Sequence, residues 1–159
     1  MIKHYQVLLT EWEFIRRCSR EFIQHLSDAE LDRKLPRKGL DTFRKHFQEM
    51  IGVQRDYTAA IHSGKIEFTG GPDAQLSGDW SKEKLLSAMD AADAELARAV
   101  GEAAETAQVD WFGEQRSLTG HLAALVSHEA LHIGQIVAFS YVLGIAIPKF
   151  VIDNWALSG

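Results

Sequence analysis

The sequence predicts an all-α fold, a four-helix bundle formed by a single domain over residues 1–159. Three observations lead there. Apolar residues recur at three- and four-residue spacing in four separate stretches, the period of a helix with one buried face. No stretch reads convincingly as a strand. At 159 residues, with 46% apolar and 25% charged side chains, the chain is long enough for one core and ordinary in composition.

The first helix is expected from about Ile2 to Leu26, where Leu8, Trp12, Ile15, Ser19, Phe22 and Leu26 form one stripe. Ser27-Asp28 then offers an N-cap for a short helical turn ahead of Leu35-Pro36. Asp41 is the expected N-cap of the second helix, which ends before Gly64. Its stripe is Phe43, His46, Phe47, Met50, Val53, Tyr57 and Ile61. Lys65 to Asp79, with Gly70-Gly71-Pro72 inside it, reads as a loop. Ser81 caps the third helix, with Glu83 in its first turn and Leu85, Met89, Ala92, Leu96 and Val100 as its stripe. Glu102 to Arg116 is a connection containing Trp111-Phe112-Gly113. The fourth helix runs from Ser117 to about Gly144, and Pro148 prevents easy continuation. The tail from Phe150 to Trp155 is too apolar to be left in water and is expected to pack back on the bundle.

A formal charge of -5 provides no basic patch, so neither nucleic acid nor an anionic membrane is expected as a partner. The longest apolar run, Ile136 to Ile147, is too short to span a bilayer. The first residues lack the apolar core of a signal peptide, and the chain is expected to be cytoplasmic. Cys18 is the only cysteine and reads as a packed thiol, although Arg16, Arg17 and Arg20 lie near it in sequence.

The chemistry concentrates in Ser127-His-Glu-Ala-Leu-His-Ile-Gly-Gln135. His128 and His132 are four residues apart, so on a helix both imidazoles leave one face, about 6 Å apart along the axis and ~40° around it. Their sector is apolar, flanked by Leu125 and Leu131. Buried imidazoles need partners for both nitrogens, and several on one apolar face are satisfied most simply by a metal ion. His46 lies in the apolar stripe of the second helix. A lone histidine there would be read as a core residue bonded to a carbonyl; beside a second buried pair it becomes the third ligand. His46, His128 and His132 would bind one face of a divalent ion and leave positions open for water or substrate. Zinc is the default, with nickel, iron and manganese also suited to imidazole. His121 shares the sector, but about 10.5 Å along the axis separates it from His128, so it lines the pocket or is a satisfied polar residue. Gln135, one turn beyond His132, is placed in the pocket wall or at a helix contact. His121, Glu129 and Gln135 are the candidates for a catalytic role.

His128-Glu-Ala-Leu-His132 also matches the H-E-x-x-H pattern of zinc proteases, in which the glutamate is the general base. Three features count against that assignment. Gln135 and Ala138 stand where a metzincin has glycine and histidine. No glutamate follows Glu129 to act as a downstream ligand, and no strand is evident to hold a peptide. Glu129 falls at about 100° from His128 on the helical wheel, at the rim of the metal sector, and remains a group for supporting a ligand or moving a proton. A di-iron carboxylate site is poorly supported too, because His46 and Glu49 have the wrong order and other inward carboxylates are missing.

One histidine on the second helix followed by H-x-x-x-H-x-G-Q on the fourth resembles the DinB/YfiT-like bundles. The residues that carry the resemblance are His46 within Phe43-Arg-Lys-His-Phe47, and His128, His132, Gly134 and Gln135. Ile133 departs from the pattern, since the family often has a basic residue there. The resemblance covers nearly the whole chain and implies a divalent metal, commonly zinc or nickel, on the three histidines. It also implies that some members are metal-dependent transferases using low-molecular-weight thiols, among them mycothiol-dependent isomerases and bacillithiol-dependent enzymes.

Three functions follow as expectations. The first is a metal-dependent thiol S-transferase acting on a small-molecule substrate, with the metal holding a low-molecular-weight thiol as thiolate. The second is a metal-dependent hydrolase in which Glu129 or Asp153 moves protons. The third is a non-catalytic metal-binding or interaction protein stabilised by its ion. Val126, Ala130, Ile133, Val137 and Tyr141 form an apolar stripe opposite the histidines, covered either by the tail or by a second copy; the expectation leans to a homodimer.

Overall fold

The computed structural model of the chain describes residues 4–69, 78 and 80–158. Each amphipathic stretch becomes a long helix, and the described chain is mostly helical. In chain order the elements are α1 (His4–His25), α2 (Asp28–Leu31), α3 (Phe43–Ser63), α4 (Lys82–Glu102), β1 (Gln108–Trp111), β2 (Glu114–Ser117), α5 (Leu118–Leu143) and α6 (Lys149–Trp155). Helix α1 packs on α5 and α4, and α3 packs on α4 and α5. The stripes meet between them, where Phe22, Phe43, Phe47, Met50, Leu85, Met89 and Ile136 have no more than trace exposure. The start expected at Ile2 and the Gly70-Gly71-Pro72 turn lie outside the described residues.

Helix ends follow local chemistry. Ser27 and Glu30 form a reciprocal capping box at α2. Ser81 caps α4 by accepting from the Lys84 N–H, and Ser117 caps α5 by accepting from the Gly120 N–H. Gly64 and Gly144 end α3 and α5 with φ of 74° and 65°, a conformation glycine adopts without steric cost. The expected cap of α3 is corrected by one residue. Thr42, extended at φ -145°, accepts from the Lys45 N–H, while Asp41 is drawn into ion pairs with Lys34 and Lys45, both at 2.6 Å.

The connection between the third and fourth long helices is a second correction. It holds an antiparallel hairpin pairing Val109 with Arg116. The two strands are four residues each and only Val109 is fully buried, so they carry no readable alternation. The turn takes positive φ at Phe112 (53°) and Gly113 (99°), the mirror-image turn that suits a tight hairpin. The hairpin is tied to the end of α3: the Ile66 N–H donates to the Asp110 carbonyl at 2.9 Å, and the Asp110 N–H donates to the Gly64 carbonyl at 2.8 Å.

Helix α5 is long and apolar enough to cross a membrane by length and composition alone. In this fold it is a core helix, contacting α1 and α3 and burying His121, Glu129, His132 and Ser140. The tail lies against α1 and part of the opposite stripe of α5. Phe150 and Trp155 of α6 pack on Phe14 with ring centroids 6.1 and 5.8 Å away, and the Arg17 guanidinium sits 3.9 Å over Phe150. Ala130, Ile133 and Val137 face Val151, Trp155 and Leu157 across a small cleft, and Ile133 is buried. Of the five stripe residues only Tyr141 is exposed, and its hydroxyl donates to the Ser158 carbonyl at 2.6 Å. Ile133 is thus enclosed within the chain, while Val126, Ala130 and Val137 stay half-buried.

Candidate metal centre

Helices α3 and α5 bring four metal-competent side chains to one place. His46 sits in the first turn of α3, and Glu49 lies three residues later on the same face. His128 and His132 sit one turn apart in the middle of α5. His46 Nδ1 lies 2.9 Å from His132 Nδ1, and His132 Nε2 lies 3.2 Å from His128 Nε2. Glu49 Oε2 approaches His132 Nε2 at 3.8 Å. One ligand atom from each of Glu49, His128 and His132 falls within 4.8 Å of the others. His46 therefore meets the opposite ring nitrogen of His132 from the one shared by Glu49 and His128. His46 and His132 are buried, whereas His128 and Glu49 keep partial access to solvent.

The electrostatics favour uncharged rings. Burial, then the Arg37 charge, lowers the His46 pKa to about 4. Burial, then His128, His46 and Arg37, lowers that of His132 to about 3. His128 is lowered by burial and by Arg16. Glu49 is raised by burial, with Arg37 opposing. At neutral pH the three imidazoles thus present lone pairs, as metal ligation requires. His46 Nε2, Glu49 Oε2 and His128 Nδ1 are buried without a hydrogen-bond partner, among few such atoms in the described residues. Of these, Glu49 Oε2 is the one that approaches the His132 nitrogen shared with His128. An orphaned buried polar atom costs about 1–3 kcal/mol, and a cation beside it would remove that cost. The donor set of imidazoles and one carboxylate fits a divalent metal ion.

The three catalytic candidates from the sequence have other partners. His121 accepts from Trp111 Nε1 at Nδ1 (3.0 Å), and its Nε2 lies 2.9 Å from the Tyr57 carbonyl. Both nitrogens are satisfied, so it is a core histidine that fastens the hairpin and α5 to α3. Glu129 is not at the rim of the site. It is fully buried against α1, paired with Arg16 at 2.9 Å and accepting from the Ser19 hydroxyl at 2.5 Å. The 100° offset places it toward α1, and α1 fills that side with a cation. Burial raises its pKa while Arg16 and Ser19 pull it down. Gln135 accepts from the Arg37 guanidinium at 2.6 Å. Asp153 pairs with Lys149 on the surface of α6.

Glu49 is the group that the sequence pattern did not bring forward. Its signal was present, since it stands one turn from His46. A carboxylate at the edge of an apolar stripe looks like any solvated acid until the facing helix is known.

Among curated proteins no sequence matches the chain. In fold the chain is similar to a DinB-like protein from Bacillus cereus ATCC 10987, known from its crystal structure. The TM-score is 0.73 at 16% identity, covering 94% of this chain and 99% of that one. That likeness concerns the fold alone. The model of the DinB superfamily matches residues 11–136, a span that holds α3, the hairpin and the three histidines of α5, His121, His128 and His132. The chain belongs to the DinB superfamily.

Proposed function

We propose that this protein is a four-helix bundle that binds a divalent metal ion between α3 and α5, and that it uses the ion to act on a low-molecular-weight thiol. The carrying observation is the meeting of three uncharged imidazoles and the Glu49 carboxylate around His132, with the buried Glu49 Oε2 left without a hydrogen-bond partner. His46, His128 and His132 would hold the ion, with Glu49 beside them. A bound divalent ion would supply charge that keeps a thiol deprotonated near neutral pH. The chain's own residues form the seat: the buried rings fix the donors, and the half-buried side at Glu49 and His128 is where a ligand would enter.

A second ligand set is favoured by the distances. Glu49, His128 and His132 gather at His132 Nε2, while His46 reaches only Nδ1. In that arrangement His46 accepts the Nδ1–H of His132 and fixes its tautomer, as carboxylates or carbonyls do for many ligating histidines. Metal hydrolysis is less well supported, because Glu129 is committed to Arg16 and Asp153 to Lys149.

Elemental analysis of protein purified without a metal-affinity tag tests the site. About one equivalent of a divalent metal, lost in His128→Ala, is expected. Metal-free protein that also fails to take up zinc or nickel in a titration would refute it. A conjugation screen with small thiols and electrophiles tests the chemistry, and thiol-independent ester or amide cleavage would reject the transferase in favour of the hydrolase.

A further inference from the structure

Residues 33–38, Arg-Lys-Leu-Pro-Arg-Lys, put four cations into six positions of a chain whose net charge is -5. They belong to the connection between α2 and α3, which main-chain bonds hold in shape. The Leu35 N–H donates to the Asp41 carbonyl at 2.9 Å, and the Arg37 N–H donates to the Leu35 carbonyl at 2.8 Å. Lys34 is neutralised by Asp41 at 2.6 Å. Arg37 is not: among the described residues it has no ion pair, and it is exposed. Its guanidinium is nevertheless held in place, donating from Nη1 to the neutral Gln135 side chain at 2.6 Å and from Nε to the Lys38 carbonyl at 3.3 Å. Gln135 lies on α5 three residues after His132, so this amide anchors the cation beside the candidate metal centre. The Arg37 charge is felt there, adding to the effect of burial in lowering the pKa of His46 and His132 and opposing the rise that burial causes at Glu49.

An exposed arginine fixed by a neutral partner keeps its full charge and leaves several N–H groups of its fork unused. That combination suits recognition of a carboxylate, sulfonate or phosphate. We propose that Arg37, positioned by Gln135, is the anion-binding group of the site, so that the small-molecule ligand is a thiol bearing a negatively charged group. This rests on the metal–thiol function proposed above and specifies its ligand. It also gives Gln135 a role: the amide aims a cation at the ligand and leaves the metal alone.

The test uses the full chain loaded with Co(II), whose thiolate charge-transfer absorption reports a bound thiol. Two probes of equal reach are titrated: 2-mercaptoethanesulfonate, whose sulfonate is a poor metal ligand, and neutral 2-mercaptoethanol. The wild type is expected to bind the sulfonate thiol about tenfold more tightly, the scale of one charge-assisted hydrogen bond. Arg37→Gln should bring the ratio close to one, the sulfonate thiol losing more affinity than 2-mercaptoethanol in protein that still loads cobalt. Arg33→Gln, which removes an equal charge from the same segment, should keep the ratio. Equal affinities in the wild type, a ratio that survives Arg37→Gln, or an equal loss in Arg33→Gln would overturn the inference and leave the metal–thiol function standing. Cobalt loading without a charge-transfer band for either thiol would instead reject the thiol function, and this inference with it.

Discussion

Arg16 and Glu129, both without solvent exposure, meet at 2.9 Å between α1 and α5. The pair is the centre of a buried polar group that also contains Ser19, Gln54, Trp12 and Asp93. Gln54 accepts from Arg16 and donates to Asp93 at 2.8 Å, and Trp12 Nε1 donates to Asp93 at 3.1 Å. Asp93 Oδ1 also lies 3.2 Å from Arg16 Nε. The network links α1, α3, α4 and α5 directly behind the residue that precedes Glu129, the candidate ligand His128.

Removing one member of a buried ion pair leaves the other charge uncompensated. Glu129→Ala is therefore expected to lower unfolding stability by about 3–5 kcal/mol, read from the midpoint of a urea denaturation curve. Glu129→Gln should be milder and should keep one metal equivalent. Loss of activity in Glu129→Gln with stability and metal content intact would restore Glu129 as a proton carrier.

The ligand sets separate by mutation. His132→Ala and His128→Ala are each expected to abolish the rise in melting temperature on adding zinc. Glu49→Gln and His46→Ala then decide between the two sets. A ligating residue should lose binding outright, whereas one that only orients His132 should cost about 10–100-fold in affinity. Isothermal titration with zinc measures both.

The metal-free protein should lose stability on mild acidification. His46 and His132 have folded-state pKa values of about 4 and about 3, below the unfolded value of ~6.5. The unfolded chain thus binds more protons between these values. Their contribution is fully present above about pH 6.5 and is lost as pH falls toward 4 and then 3. Urea midpoints of the metal-free chain should fall between pH 7 and pH 5, and that fall should shrink in His132→Ala. A flat profile over that range would contradict the burial of the rings.

Cys18 is enclosed, with Trp155 Nε1 donating to its sulfur at 3.4 Å, and burial raises its thiol pKa. The native protein is expected to react with a thiol reagent only slowly. Trp155→Ala removes both lid and donor. It should speed the reaction by about tenfold or more while costing ~1–2 kcal/mol of stability. Equal rates would mean that α6 does not guard this side of α1.

Periodicity and punctuation in the sequence were enough to place the four long helices, the caps at Ser27 and Ser81, the start of the last long helix at Ser117, the glycine stops at 64 and 144, and the tail as a packed element. Such features depend on residues within one or two turns of each other, so a local pattern records them. The same holds for His128 and His132, whose alignment is a property of one helix. The hairpin was hidden because strands of four residues with one buried side chain leave no period to read, and Phe112 occupies a turn position where asparagine or glycine would have signalled it. Only the tertiary structure decided which way the remaining polar groups faced. It turned Glu129 onto Arg16, satisfied His121 with Trp111 and Tyr57, joined Glu49 to the histidines and set Arg37 on Gln135. Each of these outcomes depends on the helix that happens to lie opposite, and a side chain's partner across a core is fixed by packing between segments far apart in the chain.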